Sequence, residues 1–249
     1  LGNPVASDNC SVASVTNDAP VAFPLGSTTV TWTVTDGSGN TATATQVVTV
    51  TDIVNPTITA PAAVSATTNT GCTATGVTLG TPTTSDNCSV ASVTNNAPAA
   101  FPLGTTTVTW TVTDGSGNTA TATQVVTVTD NVNPTITAPS AVSTTTNTGC
   151  TATGVSLGSP STGDNCSVAS VTNNAPSSFP VGNTTVTWTV TDGSGNTATA
   201  TQTVTVTDNV APTASCQNIT VNLDATGNAT ITAAQINNGS SDNCGVASV

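Results

Sequence analysis

The strongest constraint on this chain is that it repeats itself every 78 residues. The triplet Asp-Asn-Cys ends at Cys10, Cys88, Cys166 and Cys244, and Trp32, Trp110 and Trp188 keep the same step. Residues 53–130 and 131–208 align without a gap and differ at 12 positions, most of them mild, such as Leu103 against Val181. Leu1-Gly2 matches Leu79-Gly80. Residues 1–52 therefore read as the C-terminal part of a truncated copy, 53–130 and 131–208 as complete copies, and 209–249 as the N-terminal part of a divergent copy. Such a chain is expected to be a window on a longer array of small units, each touching its neighbours in sequence.

Within a copy the hydrophobic pattern has a period of two. Val108, Trp110 and Val112 alternate with Thr, as do Ala120, Ala122, Val126 and Val128 further on. Such alternation means half-buried strands, and the two runs flank DGSGN, which reads as a hairpin turn. Shorter strands are expected at "TITAPAAVS", "TATGVTLG" and "SVASVTN", punctuated by Gly, Pro and Asn. Thr, β-branched and strand-favouring, is the commonest residue at 60 of 249. Several short strands in 78 residues predict an all-β chain, a tandem array of small immunoglobulin-like β-sandwich domains. On this pattern Trp32, Trp110 and Trp188 face the core rather than a ligand.

Composition excludes most chemistry. The chain has no Lys, Arg, His, Met, Tyr or Glu, and its 12 acids are all Asp. No imidazole or amine can act as a base near neutral pH, and no cation can clamp an anion, so an enzyme is not expected. A net charge of −12 argues against nucleic acid and anionic membranes as partners. No apolar run approaches the ~18 residues of a membrane span. Divalent cations remain as the natural charged partner.

Ten of the aspartates sit at three recurring positions, with Asp18 and Asp224 extra. In a sandwich, the loop carrying Asp86 and the hairpin turn carrying Asp114 lie at the same end, and Asp52 closes the preceding copy. Three carboxylates should approach one interdomain junction, with Asn55 and Asn87 nearby. The candidate Ca²⁺ ligands are Asp52, Asn55, Asp86 and Asp114, and one repeat later Asp130, Asn133, Asp164 and Asp192. Oxygen donors in that number suit Ca²⁺, which takes 6–8. The competing reading is that Asp and Asn only bracket turns through their own backbone.

The segments "FPLGTTTVTWTVTDGSGNTATAT" and "GCTATG…SDNCSVASV" resemble the second and first halves of the hyalin-repeat (HYR) domain. The resemblance covers nearly the whole chain, least well 211–241. It implies an extracellular module of stalks and adhesins, not an enzyme. Similar Thr-rich arrays are typical of giant surface proteins of Bacteroidota, including gliding and biofilm adhesins. The hyalin-repeat pattern has up to four Cys, and two of its positions are Ala60 and Ala122 here, Ala138 and Ala200 in the next copy. With that presumed pair absent, the resemblance implies that Cys72 pairs with Cys88 and Cys150 with Cys166. A strand running straight through Thr73 to Leu79 strains this pairing, because disulfide Cα atoms lie within ~7 Å. Links between copies, such as Cys72 to Cys166, would instead chain the array covalently. Cys10, Cys216 and Cys244 are expected to pair outside the sequence, or Cys216 with Cys244. Disulfides place the protein outside the cytoplasm.

The expected role is a structural stalk or spacer of a long cell-surface adhesin or filament, holding an adhesive tip away from the cell. Its expected partners are neighbouring repeats of its own chain, other copies of the filament, or surface glycans. The alternative is a glycan-binding or other ligand-binding adhesion module, which would need exposed aromatics.

Overall fold

A computed structural model describes residues 1–248. Among the described residues the chain is all-β apart from one four-residue helix, Ala233–Ile236. It divides into two compact units. One comprises Leu1–Ser65, Gly76–Phe101 and Thr105–Thr127; the other comprises Ala66–Thr75, Pro102–Gly104 and everything from Val128 onwards.

The second unit contains the copy 131–208 whole. Its long hairpin pairs Gly182–Asp192 with Thr197–Thr207, in register from Gly182 opposite Val206 to Thr191 opposite Thr197. Val168–Asn173 lies antiparallel along the first of these strands, with a bulge between Val168 and Ser170. Val142–Thr145 lies parallel along the second, which completes a four-stranded sheet. Two short antiparallel pairs stand apart from that sheet, Thr135–Thr137 with Ser161–Gly163 and Thr151–Thr153 with Ser178–Pro180. The core lies between: Ala152, Phe179, Val186, Trp188, Val204 and Val206, with Ile136, Val142 and Leu157 packed against it. Each strand of the hairpin gives alternate residues to this core and Thr to the surface, as period-two patterning requires.

The first unit repeats these pairings where it contains the same segments. Thr57–Thr59 pairs with Thr83–Ser85, and Val90–Asn95 with Gly104–Asp114. The incomplete copy 1–52 keeps its three-stranded sheet of Val12–Asn17, Gly26–Asp36 and Thr41–Val50.

Two expectations need correction. "TATGVTLG" is not one strand: Thr73–Thr75 ends at Gly76, whose φ of 68° a side chain would resist. Trp110 and Trp188 are 6% exposed, as a core position demands, but Trp32 is only half-buried. Ile136 and Val142, which pack against the cluster that holds Trp188, have no counterpart within 1–52.

A buried polar triad ties the core together. The Trp188 indole N–H donates to Gln202 Oε1 at 3.0 Å, while Gln202 Nε2 donates to the carbonyls of Ser140 (2.8 Å) and Leu157 (2.9 Å). Trp110 and Gln124 repeat this with Ala62 and Leu79. A Gln this deeply buried is tolerated because its acceptor and both donors are satisfied.

Candidate metal centre at the repeat junctions

The hairpin turn is built by its own carboxylate. Asp192 Oδ1 accepts from the backbone N–H of Ser194 (2.9 Å) and Asn196 (2.8 Å), and Oδ2 from Asn196 Nδ2 (2.8 Å). Gly195 supplies a φ of 91°. Gly193 is closely packed: a Cβ there would stand 3.0 Å from Ser167 Oγ, which would have to give way. Burial resists ionisation of Asp192, but the donors from Asn196, Ser194 and Gly195 outweigh it and hold the carboxyl below its ordinary range. Asp114 is shifted in the same direction by the same balance. The divergent C-terminal segment reuses the device: in DATGN, Asp224 Oδ1 accepts from the N–H of Thr226 (2.9 Å) and Asn228 (2.9 Å).

The turn also holds the preceding linker. Asn196 Nδ2 donates to the Asp130 carbonyl at 3.2 Å, and Asn118 makes the same bond to Asp52. This brings the linker aspartate beside the loop of the Asp-Asn-Cys triplet. There Asp164 Oδ2 caps the N–H groups of Cys166 (2.8 Å) and Ser167 (2.9 Å). Asn165 Nδ2 reaches Asp130 Oδ1 (3.2 Å), Thr68 Oγ1 (3.2 Å) and the Gly71 carbonyl (3.2 Å). Thr68 Oγ1 donates to Asp130 Oδ1 at 3.0 Å.

These bonds leave particular oxygens over. Asp130 Oδ2, Asp164 Oδ1 and Asn165 Oδ1 are buried without a hydrogen-bond partner. So are Asp52 Oδ2 and Asp86 Oδ1 one repeat earlier, and Asp242 Oδ1 and Asn243 Oδ1 one repeat later. Oxygens of Asp52, Asp86 and Asp114 lie within 4.8 Å of one another; at the later joints an oxygen of Asp130 lies that close to one of Asp164, and one of Asp208 to one of Asp242, where the third neighbour is the sulfur of Cys166 or Cys244, bound in a disulfide and no metal ligand. Asp130 is 7% exposed. Burying carboxylate oxygens together without donors is costly, and a chain with no Lys, Arg or His has no side chain to compensate them. A hard cation with oxygen ligands fits that donor set. Asn55 and Asn133 are exposed. The amide oxygens buried with the carboxylates belong to Asn165 and Asn243 instead.

The cysteines pair across copies. Cys72 is bonded to Cys166 and Cys150 to Cys244, each at a sequence separation of 94 and with Cα atoms 4.5 Å apart. This overturns Cys72–Cys88 and Cys150–Cys166, and it gives Cys244 a partner inside the sequence. The physical reason lies in the junction. Asn165 holds the Gly71 carbonyl, which delivers the adjoining Cys72 to Cys166, and Asn243 does the same through Gly149 for Cys150 and Cys244. Cys10, Cys88 and Cys216 are free thiols.

The sequence matches the HYR domain family model over residues 2–50, 51–128 and 129–206. The chain belongs to the HYR domain family. No curated protein matches it. Among solved structures, this HYR array is similar to protocadherin gamma B7 extracellular cadherin domains 1–4, at 10% identity over 78% of this chain and 61% of that one, with a TM-score of 0.34. It is also similar to Drosophila N-cadherin EC1-4, at 11% identity over 74% of this chain and 59% of that one, TM-score 0.36. Mouse cadherin-23 EC22-24 matches at 16% over 72% of this chain and 74% of that one, TM-score 0.33. The chain spans about three fifths of the length of the first of these. Tandem HYR domains tied by disulfides are those of an extracellular repeat protein of the adhesion type. No helix among the described residues is long and apolar enough to cross a membrane.

Proposed function

We propose that this segment is a structural stalk of a long cell-surface adhesin or filament, which holds an adhesive tip away from the cell and performs no catalysis. The division into copies 1–52, 53–130, 131–208 and 209–249 is part of that reading. Its carrying observation is that the most elaborate polar constellation recurs at the joints: Oδ1 of Asp86, Asp164 and Asp242 is buried without a partner beside Asp52, Asp130 and Asp208 in turn. A protein built to hold a ligand on its surface would spend such groups on an open face. Here they are spent where one copy follows another. Trp110 and Trp188 are covered, so they offer no ring for a sugar to stack on.

We further propose Ca²⁺ as the joint's ion. Asp130, Asp164, Asn165 and Asp192 would hold it in one joint, and Asp52, Asp86, Asn87 and Asp114 in the preceding one. Bound there, it would neutralise the carboxylates and fix the linker. The chain's own residues supply the rest, since Asn196 and Asn165 hold the Asp130 segment in place.

Small-angle scattering of variants with two, three and four complete copies tests the stalk. Each added copy should lengthen the particle by a constant ~30–40 Å, from strands of about ten residues at ~3.3 Å each. A maximum dimension that grows irregularly, or hardly at all, contradicts a spacer.

A further inference from the structure

The two disulfides interleave, and that changes what tension can do to this chain. Cys150 lies before Cys166 in the sequence, yet Cys150 bonds forward to Cys244 and Cys166 bonds back to Cys72. The shortest covalent route from end to end therefore does not follow the polypeptide. It runs from Leu1 to Cys72, crosses to Cys166, returns against the chain direction to Cys150, and crosses to Cys244. Everything between Cys72 and Cys150, and between Cys166 and Cys244, hangs off this route as closed loops.

We propose that these crossed disulfides form a load-bearing covalent tether, so that pulling on the chain cannot draw out the two long hairpins that they bypass. The long hairpin Gly182–Asp192 with Thr197–Thr207 lies wholly in one bypassed loop, as does Gly104–Asp114 with Thr119–Thr129 in the other. Their hydrogen bonds and the Trp–Gln core carry no tension. Within the copy 131–208 only the stretch from Cys150 to Cys166 is loaded. That stretch contains two short strands, Thr151–Thr153 and Ser161–Gly163, each paired to a neighbour. At ~3.4 Å per residue it can extend to about 55 Å, where an unlinked copy of 78 residues would reach about 265 Å, nearly five times as far.

The pairing that the family resemblance implies, Cys150 with Cys166, would do the opposite. It would remove a small loop and leave most of each copy, its long hairpin included, free to be pulled out. Choosing the partner one copy away transfers the load from folded hydrogen bonds to covalent bonds. The chain has no Lys, so a Lys–Asn isopeptide bond cannot serve this purpose. The inference concerns connectivity and holds whether or not the stalk reading does; that reading supplies only its use.

Single-molecule stretching between handles on the two termini tests it, below the force that breaks covalent bonds. The oxidised protein should extend to about 320 Å and the fully reduced protein to about 850 Å, a ratio of roughly two and a half. Cys150→Ser with Cys244→Ser keeps one crossing and should stop near ~530 Å. An oxidised chain that extends to about 740 Å, the length left by pairs within copies, or to the full ~850 Å, overturns the proposal. The chain-length series in scattering would be unaffected by that failure, so the two ideas fall separately.

Discussion

Trp188 and Gln202 form a hydrogen bond of 3.0 Å across the long hairpin, in a core where they are 6% and 2% exposed. Gln202 in turn holds the carbonyls of Ser140 and Leu157. One side chain thus ties the hairpin to two earlier segments of its copy. Replacing Gln202 with Ala leaves the indole N–H and two carbonyls without partners in a dry site. A buried unsatisfied group costs about 1–3 kcal/mol, so a loss of at least ~3 kcal/mol is expected in urea unfolding followed by Trp fluorescence. Gln46→Ala should cost clearly less, because Trp32, whose indole N–H donates to Gln46 Oε1 at 3.0 Å, is half-exposed, and Gln46 Nε2 donates to one carbonyl, that of Leu1 at 3.3 Å, rather than two. Equal losses at the two positions would contradict the triad's role.

The turn aspartates predict an acid limit to stability. Asp114 and Asp192 are held below the ordinary carboxyl range in the folded chain, since their hydrogen-bond donors outweigh the opposing burial. The folded form therefore binds fewer protons than the unfolded one in that range. Their contribution is complete above the unfolded value of ~3.9 and is lost as pH falls through the lower folded value. Melting temperatures measured in excess chelator should be flat from pH 7 to about 5 and fall steeply below about 4. Asp192→Asn should lower the neutral plateau modestly and flatten the acid limb. An unchanged acid limb in that variant would show that other groups set it.

Calcium should stabilise the wild-type chain by an amount that grows with the logarithm of its concentration once this exceeds Kd, because only the folded joint gathers the oxygens. Calorimetric titration should find binding that Asp130→Asn combined with Asp164→Asn weakens by at least tenfold. Asp18→Asn, away from the joints, should leave it unchanged. If elemental analysis finds no metal and calcium does not move the melting temperature, the leftover oxygens are solvated by water and the joint stands on hydrogen bonds alone.

The hairpin was legible in the sequence because its signal is local: alternation over Gly104–Asp114 and Thr119–Thr129, with DGSGN between. The recurring Asp positions were legible too, since a sandwich returns its odd loops to one end. Gln124 and Gln202 were missed, although each falls on the same face of its strand as Ala122, Val126 and Val128 or their counterparts. A polar residue inside an apolar period was there to be read. Of the two amides that the sequence brings near the joint, Asn55 and its counterpart Asn133 stay exposed, whereas the Asn87 position, which is Asn165 and Asn243 in the following copies, has its amide oxygen buried. The cysteine pairing could not be derived from spacing. Near-identical copies offer each thiol equivalent partners in its own copy and in the next, and the choice depends on where Asn165 anchors Gly71.

That choice is also the most direct test of the account, which makes the joint the working part of the molecule. Without Lys or Arg the chain resists trypsin, but cleavage before Asp separates every relevant cysteine. Digested without reduction and weighed by mass spectrometry, the protein should yield peptide 52–85 linked to 164–191, and peptide 130–163 linked to 242–249. Linkage of 52–85 to 86–113 and of 130–163 to 164–191 would place the disulfides inside the copies and contradict it.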